Sequence, residues 1–303
     1  MLAIRPHIWF DQHLAREAAE FYTSLLPDSV ITGSNKFDMG SGYCDVVEFT
    51  VAGQPFMGIS SGPGGMKPTP AISFMINFDP SRDADAAKRI DKAWEKLTDG
   101  GMIMMPLDRY PFSERYGWVS DKYGVSWQLI LTNPAGEERP VIVPSMMFTR
   151  EVAGRAEEAI DFYTSVFKDG KRGNTARYPA GMEPDKEGTI MFADFYANKT
   201  WIAAMDSAHP HQFGFNDAVS LLIPCETQEE IDYYWYALTA DGGTPGQCGW
   251  LKDKFGVSWQ VATVLMTDVL KDGSREQINR TLAAFMPMTK IDLSALQNAR
   301  DGK

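Results

Sequence analysis

Histidine occurs only four times and cysteine only three times in 303 residues. Cys44, Cys225 and Cys248 are far apart and odd in number, which argues against a disulfide framework or a zinc knuckle. Buried thiols in a reducing cytoplasm are the plain expectation. Positive charge is also scarce, with 29 Lys and Arg against 40 Asp and Glu, a net charge of −11. No basic run stands out, so binding to nucleic acid by phosphate neutralisation is not expected. Nor is adsorption to an anionic membrane. No apolar run is long enough for a bilayer. The opening "MLAIRPHIWFDQHLAREAAE" lacks the pattern of a signal peptide.

What is present suffices for real cores: 44% apolar and 12% aromatic residues. The length suggests two domains, and the chain repeats itself. "DKYGVSWQLI" at 121–130 returns as "DKFGVSWQVA" at 253–262, identical at seven of ten positions. "AAEFYTSLL" at 18–26 answers "AIDFYTSVF" at 159–167, and "ISFMI" at 72–76 answers "VSLLI" at 219–223. The matches keep their order. They define one domain over 1–135 and a second over 141–268, joined by the linker-like "NPAGEERP". A tail over 269–303 holds two helical patterns, "SREQINRTLAAFM" and "DLSALQNAR", the second capped by Asp292.

Each half mixes periods of 2 and 3.6. "IRPHIWF" alternates as a strand does. "LAREAAEFYTSLL" puts Leu14, Ala18, Phe21, Tyr22 and Leu25 on one helical stripe. Three strand-like runs follow, and then the order starts again. Each half therefore reads βαβββ-βαβββ, an α+β arrangement.

Paired βαβββ units of this length resemble the vicinal oxygen chelate superfamily of glyoxalase I, extradiol dioxygenases and bleomycin-resistance proteins. "PHIWFD", "EAAEFYTSLLPDS", "QEEIDYYWYAL" and "GQCGWLKDKFGVSWQ" resemble its PhnB-like branch, which carries the name 3-demethylubiquinone-9 3-methyltransferase-like. The resemblance implies a tandem repeat in which paired units curl their strands into a cup around a ligand. It also gives meanings to single residues. The last-strand ligand slot of metal-using relatives falls on Gln128 and Gln260, and the first-strand histidine slot falls on His7. Alternation adds Trp9 and Ser126 to the same faces. The remaining slots fall on Gly58 and Ala203, on Ala71 and Ala218, and on Met146 in the first strand of half 2. None can hold a metal, so no metal and no cofactor are expected.

Other candidates carry both a functional and a plain reading. Trp118 and Trp250 could line a cup or serve as core. Trp127 and Trp259 point away from the glutamines, toward a helix. "HPH" at 209–211 reads as a solvated loop, and "SGPGG" at 61–65 does not lie between a strand and a helix. "LDRYPFSERYG" at 107–117, with Tyr110, has no counterpart in half 2 and could form a lid over the first cup.

The expected function is metal-free binding or sequestering of a small, partly aromatic molecule. The alternative is a lyase or isomerase on a small metabolite using His7 as acid or base. A third reading, an assembly module with a cup filled by Met57, Met75 and Met205, stays open. So do strand exchange between the halves and a homodimer. The methyltransferase name is not supported, because no glycine-rich strand-to-helix turn is available for the methyl donor. Within this reading half 1 supplies the working polar groups, with His7 opposite Gln128 if strands stay within a half and opposite Gln260 if they swap.

Overall fold

A computed structural model describes residues 2–38, 42–133 and 135–303. Half 1 begins with strand β1 (Arg5–Phe10), helix α1 (Ala15–Thr23) and strands β2 (Val30–Asp38), β3 (Tyr43–Val51) and β4 (Gln54–Ser60). It repeats the pattern with β5 (Ile72–Phe78), α2 (Ala86–Thr98), β6 (Met102–Tyr110), β7 (Ser113–Ser120) and β8 (Ser126–Leu131). Half 2 follows with β9 (Ile142–Phe148), α3 (Ala156–Val166), β10 (Lys171–Arg177), β11 (Ile190–Ala197) and β12 (Thr200–Asp206). Its second unit holds β13 (Val219–Cys225), α4 (Gln228–Thr239), β14 (Thr244–Pro245), β15 (Trp250–Lys252) and β16 (Ser258–Thr263). The chain ends in α5 (Val264–Asp272), α6 (Arg275–Phe285) and α7 (Leu293–Asp301). Helix α6 opens with a Ser274–Gln277 capping box, and Asp292 caps α7 by accepting from the Ala295 N–H. Helix α5 is an addition to the two helices expected in the tail.

The α+β tandem architecture is present, and the open question of strand exchange is answered. The sheets form across the halves. One, here sheet A, runs β14-β15-β16-β13-β1-β4-β3-β2 and joins the first unit of the chain to the last. Sheet B runs β10-β11-β12-β9-β5-β8-β7-β6 and joins the two middle units. The central seams are antiparallel pairs, β1 with β13 and β5 with β9.

Sheet A curls. Helix α5 leaves directly from β16 yet packs against β2, five strands away in the order. A flat sheet would separate them by about 24 Å, whereas the nine residues of α5 span about 14 Å. The core faces of the two sheets meet. The Phe56 and Phe74 rings, from β4 and β5, lie 5.1 Å apart, and Tyr22 of α1 lies 5.3 Å from Trp127 of β8. The opposite faces of both sheets form the two cups.

The repeated "DK[Y/F]GVSWQ" stretch holds this core together. Asp121 accepts hydrogen bonds from the Tyr22 hydroxyl (2.8 Å), the Trp127 indole (2.9 Å) and the backbone N–H groups of Tyr123 and Val125. Asp253 repeats the pattern with Tyr163 (2.6 Å), Trp259 (2.8 Å), Phe255 and Val257. Each carboxylate ties a helix of one sheet to a turn of the other. Burial pushes the Asp121 carboxyl up to about 6 against the pull of its four hydrogen bonds, and the Asp253 carboxyl is raised for the same reason.

Candidate functional site

Because the sheets are shared, the seven candidates divide between two cups. His7, Trp9 and Gln260 stand on sheet A. Gln128, Ser126, Trp118 and Tyr110 stand on sheet B. His7 therefore shares its cup with Gln260, not Gln128. His7 pairs across the seam with Ser220, two residues along β13 from the Leu222–Gln260 pair.

The register also corrects the slots. Ser73 faces Ser145 across the seam of sheet B as Ser220 faces His7 in sheet A. The counterpart of His7 is thus Ser145. Met146 points the other way, into the core, because half 2 carries three more residues than half 1 between this slot and the FY pair of its helix. Gly58 likewise turns to the helix side, where a Cβ would sit 3.1 Å from the Phe10 ring. Met57 is the residue beside His7. The 107–117 segment is the turn and flanking strands of the β6–β7 hairpin, part of sheet B rather than a lid. The Tyr110 hydroxyl donates to the Pro106 carbonyl within that hairpin.

The two cups differ in how their polar groups are satisfied. In cup B the Tyr116 hydroxyl donates to Gln128 Oε1 (2.7 Å), and Gln128 Nε2 donates to Ser73 Oγ (2.8 Å). The Trp118 indole donates to Ser126 Oγ at 2.7 Å. The space around them is filled by Met75, Met104, Met105, Met147, Met205 and Phe213. Arg139, from the linker, lies over the Trp201 ring at 3.8 Å and pairs with buried Asp194 at 2.7 Å.

Cup A has the same scaffold with its internal bonds undone. Gln260 Nε2 still donates to Ser220 Oγ at 2.9 Å. Trp250 takes the place of Trp118, facing Gln260 as Trp118 faces Gln128, but Ser258 Oγ has no partner. The position of Tyr116 falls on Cys248, so no tyrosine reaches Gln260. His7 Nδ1 and Trp9 Nε1 are buried without partners as well. His7 and Ser258 are 3% and 2% exposed, so solvent cannot satisfy them. Among the described residues cup B has one such atom, Ser145 Oγ, and cup A has these three.

Trp9, Trp250 and Ser258 line a cavity of 430 Å³, with Leu251, Pro245 and Met66 at its sides and the Asp217–Lys252 ion pair (3.0 Å) at its rim. His7 packs edge-on against Trp250 at 5.5 Å. Burial drives the His7 imidazole down to about 3, so it is neutral at physiological pH. The "SGPGG" loop borders this end: Gly64 and Gly65 donate their N–H groups to Asp11, and Gly65 lies against the Trp9 indole nitrogen. Ser258 and this loop are the parts of the site least legible in the sequence. Ser258 could have been found as the repeat of Ser126.

The ligand set of a metal site does not fit. The four slots of cup A hold His7, Met57, Ser220 and Gln260, and those of cup B hold Ser145, Ala203, Ser73 and Gln128. Among the described residues no group of three His, Cys, Asp or Glu side chains could hold an ion. In the "HPH" loop, His211 bonds Ser207 Oγ at 2.8 Å and His209 lies 3.5 Å from Asp185.

A family model described as 3-demethylubiquinone-9 3-methyltransferase matches residues 2–130 and, again, 140–262. The chain belongs to this family. A PhnB protein of Bacillus cereus carrying the same family name is 37% identical over 44% of this chain and 98% of its own, with a TM-score of 0.38. Glyoxalase I of Zea mays is 13% identical, covering 90% of this chain and 98% of its own, with a TM-score of 0.58. That likeness shows that this family member shares the fold of glyoxalase I. A search of curated proteins finds no match. No helix among the described residues is long and apolar enough to cross a membrane.

Proposed function

We propose that this family member binds a small molecule in cup A, without a metal, against Trp9, Trp250, Ser258 and Gln260. The observation that carries this is the set of three unpartnered buried polar atoms in cup A: Trp9 Nε1 and Ser258 Oγ, on residues that line the cavity, and His7 Nδ1, on the ring packed behind Trp250. Leaving each unsatisfied costs about 1–3 kcal/mol, a debt that a bound molecule would remove. The cavity lies within the range of roughly 300–1,000 Å³ common to small-molecule sites. Cup B, packed and internally bonded, serves as core.

The alternative is lyase or isomerase chemistry through His7. A group whose pKa lies near 3 has no proton to give at neutral pH and is a weak base. This favours His7 as a hydrogen-bonding group over a proton carrier. Methyl transfer from S-adenosylmethionine finds no support either. Strand β1 leads to α1 through "DQHL", without the glycine-rich turn such a domain would use.

Mass spectrometry of small molecules released on denaturing the purified protein tests the reading. His7→Ala and Ser258→Ala should lower recovery of the bound compound, about tenfold for each lost hydrogen bond, and Gln128→Ala should not. Loss with Gln128→Ala alone would place the site in the wrong cup. Elemental analysis should find no stoichiometric transition metal; about one zinc, nickel or iron per chain would overturn the metal-free part.

A further inference from the structure

We infer that the ligand of cup A is an uncharged aryl carbonyl compound, its oxygen set against the donors of Trp9, Trp250 and Ser258 and its ring against the two indoles. The inference rests on the reading above that the cup holds a ligand at all. An indole nitrogen donates and never accepts. Trp9 Nε1 is buried without a partner, and the Trp250 indole N–H makes no hydrogen bond among the described residues, although that of its counterpart Trp118 is bonded to Ser126. Ser258 Oγ, which that comparison would pair with Trp250, is free to donate or accept. A molecule completing this wall must therefore bring acceptor oxygens. Two indoles with Leu251, Pro245 and Met66 between and around them suit a flat apolar body.

The charges decide between a carbonyl and a carboxylate. On the cavity wall Lys252 is already paired with Asp217. Arg5 and Glu48 stand on the same face of sheet A, on β1 and β3. They are half-buried, opposite in sign, and without an ion pair among the described residues. Neither lines the cavity: Arg5 stands four residues along β1 from Trp9, about 13 Å, too far to serve an anion at this wall, and Asp11 at the loop end brings a further negative charge. His7 is neutral. A carboxylate at the wall would be buried without a counter-ion of its own, which is costly, whereas a carbonyl oxygen needs only the donors present.

Ligand-observed NMR titrations with three probes test this: acetophenone, benzoate and ethylbenzene. Acetophenone should bind about tenfold or more tightly than either of the others. Ser258→Ala, and Trp250→Phe, which keeps the ring and deletes the N–H, should reduce acetophenone toward the ethylbenzene level and leave ethylbenzene unchanged. Tighter binding of benzoate would overturn the uncharged ligand. Equal binding of ethylbenzene would overturn the need for an acceptor. Either result, if still sensitive to Trp250→Phe or Ser258→Ala, leaves the cup as a binding site. Failure of all three probes to bind, or binding indifferent to both variants, would overturn this inference and the proposed function together.

Discussion

His7 shows how burial sets the behaviour of one residue. Its imidazole is held neutral down to about pH 3, while in the unfolded chain it takes a proton below about 6.5. Its folded pKa is depressed, so the unfolded state binds the extra proton. Stability is therefore full above about pH 6.5 and falls toward pH 3, by up to about 1.4 kcal/mol per pH unit. Asp121 works in the opposite sense. Its carboxyl is raised to about 6, so the folded state holds a proton that the unfolded state has lost, and its contribution falls as pH rises between about 4 and 6. His7→Gln should remove the first slope and leave the second. Thermal melting between pH 7 and 4 should show the variant losing less stability on acidification than the parent; equal losses would show that His7 is not buried and neutral as described. Asp121→Ala should be far more damaging, because Tyr22, Trp127 and two backbone N–H groups lose their acceptor. A loss of at least about 3 kcal/mol in urea unfolding is expected; a loss below about 1 would mean the carboxylate is not the joint it resembles. The doubled stretch made Asp121 and Asp253 visible in the sequence. Their partners were visible too, as Tyr22 and Tyr163 in the doubled "FYTS". What sequence could not show is that the pairs meet, since 99 and 90 residues separate them.

At the scale of elements, hydrophobic period marked the strands and helices of half 1, because alternation and helical stripes are local properties, while a polar strand such as β10, KRGNTAR, follows only from the repeat. Partnership between strands is not local, and so His7 and Gln128, which share a half, fall in different sheets. A register shift is similarly invisible: one residue of slip exchanges Ser145 for Met146 and turns a core side chain into a cup residue. The linker between the halves illustrates the same limit. "NPAGEERP" reads as a tether, yet Arg139 within it reaches Asp194 and Trp201. Arg139→Ala should leave the Asp194 carboxylate buried and unpaired, at a cost of about 3–5 kcal/mol. Arg139→Met combined with Asp194→Leu should recover most of that loss, because two apolar side chains would fill the same space without a charge. Chemical unfolding of the two variants checks this; a double variant no better than Arg139→Ala would show that the ion pair itself, and not the filling of the cup, matters.

At the scale of the whole molecule, neither half owns a complete sheet. The exposed edge of β1 in an isolated first half would lack β13, and β5 would lack β9. Residues 1–135 and 140–303, expressed together as separate chains, should therefore co-purify as one complex, and residues 1–135 alone should self-associate or fail to fold. A stable, monomeric first half in size-exclusion chromatography would contradict the shared-sheet architecture. The fusion of the halves has a consequence of its own. Two identical half-length chains assembled by the same exchange would be bound by two-fold symmetry to carry two identical cups, and every substitution would appear in both. A single covalent chain is released from that constraint. One cup can fill with methionine and close its hydrogen bonds while the other keeps its polar wall open, so the covalent join frees two copies of one scaffold to differ in what their cups contain.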